Sequence, residues 1–300
     1  MHEKTSYDFL NAYADVVMPA GGIAPAFFCA AGPGVLFDPG VSAFGPCYLE
    51  QIRRHATDPG SAVLALTHSH FDHAGAAPYL HRKLPGTRIA ASLKAAQILN
   101  KPSAIRTIRR LNAEYERDMA DRIGTEDVSF EALTVDFKLQ DGDRLELGNG
   151  CCFEIIETPG HTNDSLSYYA PDTGIVIAGE AAGVFEDGFM HSPYLTSFND
   201  YINSIEKLRS LHPAALCIAH NGILAGAEIK RFLTEAATAA RSYRDMIERY
   251  LLQYHGDQAR VVARITAEEY DARPSNIQKR TPFLLNLEAK VAVVAKAWGP

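Results

Sequence analysis

The sequence predicts an α/β protein with an all-helical C-terminal stretch, and three observations predict it. Short apolar runs alternate with stretches of helical periodicity through the first 225 residues. The strand-like runs stop after Gly226, and histidines gather where several of those runs end. A length of 300 residues suits one α/β domain carrying an appendage, so we place the domain at 1–225 and the helical appendage at 226–300.

The strands come first. Val35-Leu36-Phe37 is bounded by Pro33-Gly34 and Pro39-Gly40 and reads as a strand between turns. Ser61 to Leu66 reads as a buried strand that runs into the first histidines. Arg88 to Ala91, Phe153 to Glu157, Ser165 to Tyr169, Ile175 to Ala178 and Ala215 to Ala219 are further strands. Among the helices, Ile105, Ile108, Leu111, Tyr115, Met119 and Ile123 recur at three- and four-residue steps, predicting one helix over Ser103 to Ile123. Ser197 can cap a helix carrying Ile202, Ile205 and Leu208.

Ile229, Phe232, Leu233, Ala236, Ala240, Tyr243 and Ile247 then mark a long helix. A second helical stretch is expected from Thr266, and a third carries Leu284, Leu287, Val291, Val294 and Trp298. Because helices earlier in the chain are available to cover the sheets, the appendage is expected at the rim of the site, as a lid.

Composition narrows the function. The chain is 47 % hydrophobic and 22 % charged, as in ordinary globular proteins. A net charge of -7 gives no general attraction to phosphate backbones, so a nucleic-acid partner is not expected. No apolar run approaches the roughly 20 residues of a membrane span. The opening MHEKTSYDFLNAYADVV lacks the apolar core of a secretory signal. Five cysteines leave one over after any pairing and show no C-x-x-C spacing, which suits reduced thiols in a cytoplasmic protein. The expected partner is a small-molecule substrate, with a homodimer left open. The basic residues Arg106, Arg109 and Arg110 read as a solvated helix face balanced by Glu114, Glu116 and Asp118.

The chemistry lies in Thr67-His68-Ser69-His70-Phe71-Asp72-His73, directly after a predicted strand. Three imidazoles and a carboxylate in six residues suit a borderline divalent metal. His68 and His70 are two apart, so in extended chain they point the same way and can grip one ion. Asp72 and His73 fall where the chain should turn into a helix and can face a second ion. His161, in Thr158-Pro159-Gly160-His161, and His220, after Ala215 to Ala219, also stand at strand ends, where α/β sheets place their ligands.

Together, His68-Ser69-His70-Phe71-Asp72-His73, Gly160-His161 and His220 resemble the metallo-β-lactamase-fold hydrolases over about residues 20–225. The resemblance implies an αββα sandwich with a C-terminal helical cap and two divalent ions, zinc or iron, with manganese as a further candidate. It implies that His68, His70 and His161 hold one ion and that Asp72, His73 and His220 hold the other. Family members commonly carry a bridging aspartate after a glycine at the end of a later strand. Here Ile177-Ala178-Gly179-Glu180 puts Glu180 at that position, one methylene longer.

Two ions roughly 3.5–4 Å apart can supply hydroxide at neutral pH and polarise a carbonyl, so no serine or cysteine nucleophile is required. Asp72 is the residue expected to orient the water or carry its proton. In the segment Phe185 to Phe198, His191 is expected as a proton donor and Tyr194 as an oxyanion partner. Asn163, Asp164 and Ser165 are expected to support His161.

Outside the metal motif, Ala77-Pro78-Tyr79-Leu80, Ser103-Ala104-Ile105-Arg106, Arg110-Leu111-Asn112 and the C-terminal helices resemble the Pseudomonas quinolone-signal response thioesterase group. This implies hydrolysis of a small thioester, ester or lactone, with an acyl-CoA-type thioester favoured. The alternatives are a regulatory or interaction protein keeping a structural metal site, and a di-iron redox enzyme. The latter is disfavoured because flavodiiron proteins carry a glutamate where this chain has His70.

Overall fold

The computed structural model describes residues 16–17, 26–29, 32–148, 151–186, 189–220, 222–272 and 278–298. Most of the N-terminal segment read for a secretory signal lies outside them.

The first half builds one sheet from β1 (Val16–Val17), β2 (Phe27–Cys29), β3 (Val35–Phe37), β4 (Val63–Ala65), β5 (Arg88–Ser92) and β6 (Phe137–Leu139), in that spatial order. Its helices are α1 (Gly45–His55), α2 (Phe71–Ala74), α3 (Ala77–Lys83), α4 (Leu93–Ile98), α5 (Pro102–Asp118) and α6 (Ala120–Ile123). The steps from β3 through β6 are parallel, which requires crossovers and puts helices on a face of the sheet.

The second half supplies β7 (Arg144–Gly148), β8 (Cys151–Glu157), β9 (Leu166–Ala170), β10 (Ile175–Gly179), a hairpin of β11 (Val184–Glu186) and β12 (Phe189–His191), α7 (Phe198–Ser210), β13 (Ala215–Ile218) and β14 (Gly222–Ala225). Its six-stranded sheet runs β14-β13-β10-β9-β8-β7, with β10 and β13 parallel. The chain closes with α8 (Ala227–Gln253), α9 (Gln258–Thr266) and α10 (Arg280–Ala297).

The two-residue period of the strands decides the layering. Val63 and Ala65 of β4 face inward, with Ile177 of β10 and Ala215 and Cys217 of β13, and fill the space between the sheets. Leu64 turns outward to α1, α3, α4 and α5. Val176, Ala178, Leu216 and Ile218 turn outward under α7 and α8. The result is an αββα sandwich with a C-terminal helical addition.

The helix expected over Ser103 to Ile123 breaks at Met119 (φ -111°, ψ 16°), giving α5 and α6. A helix, α9, starts behind Asp257, which caps it by accepting from the Arg260 N–H, and ends at Thr266; the stretch expected from Thr266 follows directly as a single π-helical turn over Ala267–Asp271. The appendage also divides differently from the expected lid. Ile229, Phe232, Leu233, Ala236 and Ala237 of α8 share one buried core with β10, β13 and α7. The start of α8 is therefore part of the outer layer, since α7 alone leaves much of that apolar sheet face uncovered. Cys29, Cys47, Cys152 and Cys217 form no disulfide among the described residues. No helix among the described residues is long and apolar enough to cross a membrane.

Candidate metal centre

The site forms where β4, β10 and β13 end and where the β8–β9 connection crosses them. The β4 strand runs out through buried Leu66 and Thr67 into His68, and α2 starts at Phe71 with His70 as its N-terminal cap residue. That turn presents His68 and His70 before the helix and Asp72 and His73 within its first turn. The turn is fixed from several sides. Ser69 N–H donates to Asp164 Oδ2 at 2.8 Å, and Leu166 N–H to Thr67 O at 2.8 Å, tying the two sheets together at the site. Asn112 of α5, fully buried, donates to Phe71 O at 3.3 Å, and Tyr115 stacks on Phe71 at 5.8 Å.

Gly160 and Gly179 are the positions that need glycine. Gly160 has φ +126°, and a Cβ there would fall 2.2 Å from Tyr201 N, so the start of α7 sits directly against it. Its carbonyl accepts from the N–H groups of Leu195, Thr196 and Ser197, wrapping that loop around His161. Gly179 has φ +55°, and a Cβ there would meet Thr67 Oγ1 at 2.5 Å. Close approach at Gly179 brings Glu180 beside the histidine turn.

Two donor groups result, His68 with His70 and His161, and Asp72 with His73, Glu180 and His220. All seven were expected from the sequence. His161 Nε2 lies 3.1 Å from His68 Nε2 and 3.0 Å from His70 Nδ1. His161 Nδ1–H donates to Pro193 O at 2.6 Å, which leaves Nε2 bare. Thr67 Oγ1 gives its proton to Asp38 Oδ2 at 2.7 Å and lies 3.0 Å from His68 Nδ1, which must then carry a proton and leave its own Nε2 bare. Two bare nitrogens 3.1 Å apart repel unless a cation lies between them. An ion bound at about 2.0–2.1 Å in a tetrahedron holds such nitrogens roughly 3.3 Å apart. The residues present fit a metal ion.

Glu180 joins the two groups. Its Oε1 is 3.2 Å from His73 Nε2 and 3.1 Å from His220 Nε2, while its Oε2 is 3.4 Å from His161 Nε2. Asp72 Oδ2 stands 3.9 Å from His220 Nε2.

Asp38 is the functional residue that the sequence reading missed. It follows β3 and adopts φ 50°. Oδ1 accepts from Thr67 N–H and Oδ2 from Thr67 Oγ1, both at 2.7 Å, and Oδ2 lies 3.0 Å from His73 Nδ1. One carboxylate thus orients a ligand in each group. The available signal was its place directly after a predicted strand, where α/β sheets place their site residues.

The electrostatics split the histidines. Burial, with neighbouring imidazoles, holds His68 well below the ordinary histidine range and lowers His70 to about 3, so both are neutral. Burial also acts to lower His73, but the charge and hydrogen bonding of Asp38 and Glu180 outweigh it and the pKa rises. His220 rises through Glu180 against the same burial effect. Burial would raise Glu180, yet His161, His220 and His73 hold it well below the usual carboxylate range.

Two expected residues are not gathered here. Tyr194 is fully buried, packed on Phe198 and Tyr201 with ring centroids 5.3 and 6.1 Å away. Burial raises its pKa, and the charges acting on it are Arg244, Glu248, Asp245 and Glu269, not the metal ligands. Its ring belongs to the core under α8, and it joins neither donor group. His191 is half-buried on the β11–β12 hairpin, which packs against α8, and joins neither donor group. Asp164 does support the metal turn, and Ser165 pairs with Thr162 Oγ1 at 2.6 Å.

The sequence profile of the Metallo-beta-lactamase superfamily matches residues 25–220. The chain belongs to that superfamily. The probable metallo-hydrolase YqgX of Bacillus subtilis is 26% identical over 224 residues, 70% of this chain and 87% of that protein. The metallo-beta-lactamase fold-containing protein ST1585 of Sulfurisphaera tokodaii is 23% identical over 165 residues, 54% of this chain and 60% of that protein. Among solved structures, the metallo-beta-lactamase family protein TTHA1429 of Thermus thermophilus aligns over 93% of this chain and 91% of its own, with a TM-score of 0.65 and 16% identity. These structural likenesses concern the fold. Within the superfamily, the departure at Glu180 is accommodated by the chain itself, because its longer side chain spans both donor groups.

Proposed function

We propose that this chain is a dinuclear-metal hydrolase that opens the carbonyl of a small thioester, ester or lactone, with an acyl-CoA-type thioester favoured. The observation that carries the reading is the Glu180 carboxylate, with one oxygen among the His73 and His220 nitrogens and the other at His161. An anion held between two convergent donor groups would balance the charge of an ion in each. Two such ions lower the pKa of the water they hold and polarise a carbonyl oxygen.

The chain's own residues do the rest. His68, His70 and His161 would hold one ion through their bare nitrogens, and Asp72, His73 and His220 would hold the other. Asp38 and the Pro193 carbonyl fix the tautomers that keep those nitrogens bare. Asp72, a member of the second group, would take or return the proton of the attacking water. Zinc and iron both suit this nitrogen and carboxylate set. The thioester preference is supported by the likeness of the residues flanking the histidine turn and of the C-terminal helices to the quinolone-signal response thioesterases.

A panel of acyl-CoA, aryl ester and lactone substrates, with elemental analysis of the same preparation, tests the reading. We expect thioester turnover that vanishes in His70→Ala while the protein stays folded. Turnover of none of the three classes by protein carrying two ions would refute it.

A further inference from the structure

Two of the turns that carry donor residues rest on one side chain of α7. The helix holds the β8–β9 connection, which carries His161. Ser204 Oγ donates to Pro159 O at 2.7 Å, Lys207 Nζ to Glu157 O at 2.9 Å and Ser197 N–H to Gly160 O at 3.3 Å. The tightest approach is at Tyr201. A Cβ on Gly160 would lie 2.2 Å from Tyr201 N and 2.6 Å from Tyr201 Cβ, so the residue before His161 lies directly against the Tyr201 backbone.

The other end of the same side chain reaches the turn that follows Glu180. A Cβ on Gly183 would meet Tyr201 Oη at 3.4 Å, Met190 Sδ at 3.4 Å and Ala236 Cβ at 3.0 Å. The β11–β12 hairpin, α8 and the Tyr201 hydroxyl therefore enclose Gly183 together. Gly183 N–H in turn donates to Glu180 O at 3.3 Å, which carries the contact back to the carboxylate-bearing residue. Tyr201 thus spans from the neighbour of His161 to the turn of Glu180. Those are the two residues whose Nε2 and Oε2 stand 3.4 Å apart where the donor groups join.

The hydroxyl sets Tyr201 apart from an ordinary packing residue. Tyr201 is fully buried, and its Oη has no hydrogen-bond partner among the described residues. A buried hydroxyl without a partner costs free energy that a phenylalanine would not. The ring is backed by Tyr194, with centroids 6.1 Å apart, in a close-packed interior that leaves it no room to fold aside. We propose that Tyr201 is a positioning residue for the metal centre, a strut between the His161 loop and the Glu180 turn. Its hydroxyl acts through the length it adds, which keeps the Glu180 carboxylate placed across both donor groups. The inference rests on the two-ion part of the proposed function and not on the reaction.

Tyr201→Phe shortens the strut by one oxygen and keeps the ring. Titration with zinc against a chromophoric chelator should show the affinity for at least one of two ions lowered about tenfold. Chemical denaturation of the metal-free variant should show stability equal to or above wild type, because an unpartnered hydroxyl has gone. A residue that serves packing alone would give the reverse pattern, lower stability with unchanged affinity, and that result would overturn the proposal. Replacing Tyr201 with 4-methylphenylalanine restores the length without the hydrogen-bonding group and should restore the affinity. Affinity that stays low with the methyl group would show that the hydroxyl acts as a hydrogen-bonding group, and the strut would be wrong. Uptake of a single ion by wild type would refute the two-ion reading and the proposal with it. Two ions bound equally tightly by wild type and Tyr201→Phe would overturn the proposal alone.

Discussion

Replacing Asp38 with asparagine removes one charge and inverts one atom of the carboxylate that orients both donor groups. Asparagine tolerates the positive φ of 50° at this position, so the backbone should be kept. Its amide oxygen can still accept from Thr67 N–H. Its NH2 then stands where Oδ2 accepted from Thr67 Oγ1 at 2.7 Å and faced His73 Nδ1 at 3.0 Å. To meet that donor, His73 must leave Nδ1 bare and carry its proton on Nε2, the nitrogen that faces Glu180 and the second ion. In that tautomer it cannot be a ligand. Asp38, Thr67 and His73 are all buried, so water does not repair the loss. Hydrogen bonds to charged groups contribute about 1.5–3 kcal/mol each, so losing one and inverting another should cost roughly 2–4 kcal/mol of stability. Metal affinity should fall about 10- to 100-fold. Titration against a chromophoric chelator reads the affinity, and chemical denaturation of metal-free protein reads the stability. Wild-type affinity for both ions in Asp38→Asn would refute the assignment of Asp38 as an orienting residue.

Further predictions follow from the same geometry. His68→Ala and His220→Ala should each lower metal content by about one ion per chain, and Glu180→Gln, which removes the anion between the groups, should lower it as well; unchanged content in Glu180→Gln would show that this residue is no ligand. On acidification from about pH 8 to about pH 5, the ion held by Asp72, His73, Glu180 and His220 should leave first. His73 and His220 have raised pKa values and take up protons as pH falls, whereas His68 and His70 are depressed and stay neutral. Elemental analysis after dialysis reads this order, and loss of both ions in one step would contradict it. Truncation after Ala225 should leave insoluble protein, because it strips Phe232, Leu233 and Ala236 from the second sheet's outer core. Truncation after Gln253 should leave folded, metal-binding protein that gains activity on bulky substrates relative to small ones, and an unchanged size preference would argue against a lid.

The sequence showed the donor residues more fully than their supports. His68, His70, Asp72 and His73 crowd into one turn, and His161, Glu180 and His220 each follow a short strand-like run, so position and chemistry agreed. Asp38 was harder to see. A single aspartate before Pro39-Gly40 reads as a turn residue, and only the parallel pairing of β3 with β4 carries it to Thr67 and His73. Tyr194 shows the opposite difficulty. A tyrosine in a loop beside the site reads as a polar handle, yet its ring is buried against Phe198 and Tyr201.

The most direct test is the metal content of the purified protein, measured alongside its hydrolytic activity through removal and restoration of the metal. Close to two transition-metal ions per chain, with hydrolysis lost on chelation and regained on reloading, is the result this account predicts. Metal-free protein that hydrolyses at the full rate would contradict it.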